Sequence, residues 1–113
     1  MRKLNLANYT VKMKVPDKGN PLQKIDAELP YRMKDSVVNL LFSSDLKLNG
    51  AELMRQNMLA MKLESCEEDE ILLEEAEWQR IVKAVEVFRN FGRHEVELVR
   101  RVNEAPEVDV TTK

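Results

Sequence analysis

The 113-residue chain has one Cys, one His, one Trp and three Gly, and aromatic residues make up only 5% of it. A single Cys cannot close an internal disulfide, and one Cys with one His cannot supply a usual structural zinc site. The glycines stand at 19, 50 and 92, so no glycine-rich loop is available to cradle a phosphate. No apolar run approaches the roughly 20 residues needed to span a bilayer. The opening Met1-Arg2-Lys3-Leu4-Asn5-Leu6 is basic but lacks the apolar stretch of a secretory signal. A reducing, cytoplasmic setting without membrane contact is the expectation.

Catalytic constellations are also missing. An enzyme needs a nucleophile beside a base, or a base beside a group that orients it. His94 has no second His to work with and reads as a surface residue. Cys66 is followed by four acids, a setting unfavourable to a nucleophilic thiolate. Glu67-Glu68-Asp69-Glu70 has hard metal-ligating oxygens, but neither the alternating spacing nor the glycine of a calcium-binding loop. The sequence points to no enzyme, cofactor or metal.

What the chain does have is charge, 34% of its residues, and an uneven distribution of it. Residues 1–50 carry nine Lys and Arg against five Asp and Glu, whereas residues 51–113 carry nine against fifteen. Eight carboxylates and no base lie between Glu64 and Glu77. Charge runs are commonly solvated faces. Blocks of opposite sign also suit self-association or the steering of a partner.

Hydropathy patterning predicts an α+β fold in a single domain over 1–113, with 1–7 and 111–113 as loose termini. Tyr9, Val11, Met13 and Val15 alternate with Thr10, Lys12 and Lys14, which reads as a half-buried strand. Ile25, Ala27 and Leu29 alternate in the same way, and the Pro16–Pro21 segment between is dense in turn formers. Pairing Met13 with Ala27 keeps the apolar faces together and sets Lys14 against Asp26 and Lys12 against Glu28. The alternative pairing of Met13 with Ile25 opposes Lys14 to Lys24, so charge favours the first register. About four helices should follow and cover this hairpin. The first is a short one capped by Asp35 or Ser36, and the second runs from Ala51 to Leu63 with a broad apolar face. The third runs from Glu75 to Phe91, with Trp78, Ile81, Val82, Val85 and Phe88 in a stripe and Gly92 as its end. The fourth spans Arg93 to Glu104. Ile71–Leu73 reads as a strand or a lead-in to the third helix, and Val108–Val110 leaves room for a short C-terminal strand.

The six methionines include Met54, Met58 and Met61 along one helix. Ordinary core filling is the first reading, and an adaptable binding surface is the second. Partner-binding candidates are Tyr9, Met13, Met54, Met58 and the acidic run Glu67, Glu68, Asp69 and Glu70. A rival reading is a small nucleic-acid-binding regulator that uses Arg89, Arg93, Arg100 and Arg101 on the last two helices. Interrupting acids and a pI near 5.5 count against it.

The stretch Ile71-Leu72-Leu73-Glu74-Glu75-Ala76-Glu77-Trp78, running into Val85–Arg93, resembles small accessory and assembly proteins encoded in phage and prophage genomes. The resemblance covers about half of the chain. It implies a virion-assembly factor or minor structural component that binds protein or itself, located in the cytoplasm or the virion.

Overall fold

Leu4 and Leu6 alternate with Lys3 and Asn5, and this short pattern draws the start of the chain into the core. The computed structural model, which describes residues 1–20 and 22–109, places Arg2–Asn5 in a strand, β1. It pairs antiparallel with Glu70–Leu73, with Leu4 opposite Ile71 and Arg2 opposite Leu73. Leu4 and Leu73 are fully buried. Residues 1–7 are therefore not a loose terminus. Their backbone is hydrogen-bonded on both sides, with Lys3 N donating to Pro106 O at 3.0 Å and Leu6 N to Asp69 O at 2.6 Å. The structure also decides the ambiguous Ile71–Leu73 in favour of a strand. Its alternation is visible in burial, with Ile71 and Leu73 inside and Leu72 exposed. Near the other end, Glu107 bridges to Arg2 and Val108 N donates to Met1 O. Val110 and residues 111–113 lie outside the described residues.

The second pair of strands, β2 (Tyr9–Pro16) and β3 (Lys24–Tyr31), forms the hairpin in the register that charge favours. Met13 faces Ala27, Lys14 faces Asp26 and Lys12 faces Glu28. The last strand in chain order, Glu70–Leu73, is β4. The two sheets stay separate, β1 with β4 and β2 with β3.

Among the described residues four α-helices follow the hairpin, in an α+β arrangement. Helix α1 spans Met33–Leu40 and buries Met33, Val37 and Leu40 on one stripe. It starts before the expected caps Asp35 and Ser36, because Asn8 from the foot of β2 accepts a hydrogen bond from Met33 N. Asp35 lies instead in the first turn, where the helix dipole favours a carboxylate. Helix α2 spans Gly50–Ser65, and Asn49 caps it by accepting from Glu52 N at 2.8 Å. Helix α3 spans Glu75–Val87, and the Glu77 carboxylate reaches back to Glu74 N. It stops short of the expected Phe91. Phe88 turns extended, and its ring meets that of Phe91 at 4.7 Å, so both rings pack on the core at the cost of another helical turn. Gly92 consequently does not cap α3. It opens a 3-10 turn, Arg93–Glu95, with the Glu95 carboxylate accepting from Gly92 N. Helix α4 is left with Val96–Asn103.

The helices enclose β1 and β4 rather than the hairpin. One buried polar side chain ties them together: Gln56 of α2 donates to Leu41 O and accepts from the Arg80 guanidinium of α3, both at 3.0 Å. Trp78 of α3 donates to Val102 O of α4 at 2.8 Å, and Arg2 lies 4.0 Å from the centre of its ring.

Because β1 is core structure, Leu4→Ala is expected to cost about 2–5 kcal/mol, the usual range for a fully buried leucine. Urea denaturation measures it, and an unchanged midpoint would show that the first strand is not structural.

Candidate interaction surface

Residues paired directly across an antiparallel ribbon share one face. The register therefore puts Tyr9 and Tyr31, Val11 and Leu29, Met13 and Ala27, and Val15 and Ile25 on one side of the hairpin. Lys12, Glu28, Lys14, Asp26 and Lys24 lie on the other. In a half-buried sheet the body of the protein covers the apolar side. Here it does not: Met13 is 40% exposed, Ile25 48% and Leu29 38%. The hairpin is an arm. Its projection fits the radius of gyration, 16.6 Å with a longest extent of 59 Å, against about 13 Å for a compact chain of this length.

The arm is held at its foot. The Tyr9 and Tyr31 rings stack at 4.7 Å, and the Tyr9 hydroxyl donates to His94 O at 2.6 Å. Burial, above all, pushes the Tyr9 hydroxyl up to about 12 and moves Tyr31 in the same direction. The Arg101 guanidinium lies 5.0 Å from the centre of the Tyr9 ring, donates to Ala7 O at 2.6 Å, and pairs with Glu97 at 2.8 Å. Tyr9 thus anchors the arm, while Met13 is among the residues the arm displays.

A second apolar surface lies on α2. At 100° per residue, Gln56, Leu59, Ala60 and Leu63 share the pole that faces the core. Met54, Met58 and Met61 share the opposite one, and they are 65%, 69% and 61% exposed. The first reading of these methionines as core filler is overturned. The broad apolar face of α2 covers two poles of the helix, only one of which meets the protein interior.

Beyond the end of α2 comes the acidic run. Glu64, Glu67, Glu68 and Asp69 are exposed and make no salt bridge among the described residues. Glu70 differs, since it belongs to β4 and pairs with Lys3 at 3.0 Å. The Cys66 thiol donates to the carbonyls of Glu68 and Glu70, and Lys34 donates to Cys66 O at 2.7 Å, which fixes this corner to α1. The described residues hold no cluster of three or more His, Cys, Asp or Glu placed to grip a metal ion.

The arginines of the nucleic-acid reading do not form a free basic face. Arg100 is bound by Glu97 at 2.7 Å and Glu104 at 3.0 Å, and Arg101 is committed to Glu97, Ala7 and Tyr9. Arg89 and Arg93 lie outside the α-helices, one beyond the end of α3 and the other in the 3-10 turn. Hydrogen bonds from Arg100 first and Arg101 second hold the Glu97 carboxyl down at about 2. A groove of about 440 Å³ lies between α1 and the Phe88–Glu95 segment, where Tyr31, Asn39, Phe88 and Phe91 line it, and a larger one of about 520 Å³ runs beside Tyr9–Lys12 of the arm. Ser36, Ser43, Ser44 and Glu95 also line the first of these grooves.

Comparison with family models, with curated proteins and with solved structures finds no match.

Two predictions concern the foot of the arm. Tyr9→Phe removes the bond to His94 and is expected to cost about 0.5–1.5 kcal/mol in urea denaturation, with faster amide exchange along β2 and β3. The Glu97 pairing stabilises the fold above the ordinary carboxylate value of 4.5 and is lost as pH falls toward about 2. Glu97→Gln is therefore expected to flatten that part of the acid-unfolding curve. An unaltered curve would show that the pairing contributes nothing.

Proposed function

We propose that the protein works by binding protein rather than by catalysis, as an assembly factor or minor structural component of the phage type. The observation that carries this reading is the apolar face of the arm, which stands in solvent with Met13, Ile25 and Leu29 uncovered. Contiguous exposed apolar surface marks interaction sites. The outer pole of α2 adds a second patch of a chemically adaptable kind. The unpaired edges of a two-stranded ribbon also suit strand addition. The phage attribution is supported by the likeness of the Ile71–Arg93 stretch, and it goes with a site of action in the cytoplasm or the virion. Among the described residues no helix is long and apolar enough to cross a membrane.

Photo-crosslinking tests the reading. A photoreactive residue at Met13 or at Met58 is expected to give discrete protein adducts when the full chain is irradiated in the cells that make it. The same residue at exposed Glu86 on α3 serves as the control. Yields at 13 and 58 no higher than at 86 would refute the assignment.

A further inference from the structure

We infer that the two uncovered apolar surfaces are the two halves of one interface, and that the arm of one copy lies along α2 of the next. This rests on the protein-binding reading above and names the partner as a second copy of this chain.

Length supports it first. From Val11 to Val15 the apolar stripe of the arm extends roughly 13 Å at about 3.3 Å per residue. From Met54 to Met61 the outer pole of α2 extends roughly 10 Å at 1.5 Å per residue. Both stripes carry flexible methionine side chains able to adjust to the other surface, Met13 on the arm and Met54, Met58 and Met61 on α2.

Charge gives the pairing a direction. The outer part of the arm carries Lys14, Lys18 and Lys24 against Asp17 and Asp26, a net positive charge, and none of these lysines makes a salt bridge among the described residues. The C-terminal end of α2 leads into Glu64, Glu67, Glu68 and Asp69, also unpaired. With Val11 and Leu29 over Met54, and Val15 and Ile25 over Met61, the basic tip arrives at the acidic corner. The reverse orientation would carry the tip past Asn49 and away from those carboxylates.

The arm does not satisfy its own chain's α2, because Met54, Met58 and Met61 all remain more than 60% exposed. The occupant must come from another molecule. Each copy then offers one arm and one α2, so that two copies exchange arms about a two-fold axis or more copies join head to tail into a larger ring or a filament.

The decisive experiment is complementation followed by size-exclusion chromatography with light scattering. The wild-type mass is expected to rise with concentration above the 13.1 kDa of one chain, and to fall back as salt is added. Met13→Glu with Ile25→Glu spoils the arm, and Met54→Glu with Met61→Glu spoils α2. Each double variant is expected to remain a folded monomer with the circular dichroism spectrum of dilute, dissociated wild type, since all four side chains are exposed in the single chain. An equimolar mixture of the two is expected to form a 1:1 dimer and nothing larger, because it retains one intact arm and one intact α2. An interface of arm against arm or of α2 against α2 cannot be rescued in this way. A wild-type monomer at every concentration, assembly that survives either double variant, or a mixture that stays monomeric would each overturn the inference. If the Met13 and Met58 crosslinks then join the chain to a different protein, the protein-binding reading stands without self-docking. If they join it to nothing, both fall.

Discussion

The pairing of β1 with β4 is the constraint on which the rest of the structure depends. Four residues at the start of the chain reach across to a strand that begins 65 residues after β1 ends, and Leu4 and Leu73 bury the centre of the contact completely. Lys3 and Arg2 also touch Pro106 and Glu107, so the same strand gathers the far end of the described chain. Once β1 is fixed, Asn5–Asn8 can deliver the hairpin to only one side of the molecule. Once β4 is fixed, α2 must end, and the acidic run must turn, where Cys66 and Lys34 hold them.

The arm rests on a smaller device with the same logic. Its foot depends on Tyr9, which is gripped by a carbonyl of the 3-10 turn and by Arg101 of α4, itself held by Glu97. An isolated two-stranded hairpin is marginal in water. Here the cross-strand pairs and the tyrosine stack supply local order, and the body of the protein adds a fixed origin. That origin is far from the tip.

Much of this was legible in the sequence, and the failures have physical causes. Period-2 alternation revealed β2 and β3, and opposed charges chose their register, because both signals are local to the ribbon. The same alternation says that a strand has an apolar face but not which molecule buries it, so the hairpin was expected under the helices. The Met54, Met58 and Met61 spacing failed in the same way, since an apolar residue on a helix reads as core whether it points inward or outward. The end of α3 was misplaced because Phe88 and Phe91 gain more by stacking on the core than by continuing the helix, and helical periodicity does not register that competition. β1 was missed because four residues are too short for a pattern to stand out. Gln56 was missed because the need for a buried amide arises only where α1, α2 and α3 meet.

The choice of side chains on the two exposed surfaces bears on how such a protein could avoid indiscriminate aggregation. A flat apolar ribbon with free edges is a hazard, and charged residues, lysine above all, are the common protection. The polar face of the arm carries Lys12, Lys14 and Lys24 beside Asp26 and Glu28, and every second residue of each strand is thereby kept wet. The outer pole of α2 uses methionine where leucine would favour the helix equally well. Methionine is less committed to one packing geometry, so it adapts to its partner but supplies little selectivity of its own. Selectivity then rests on the basic tip and the acidic corner, which attract each other but repel copies brought together tip to tip or corner to corner. Apolar area supplies the adhesion, and charge decides which adhesion is allowed.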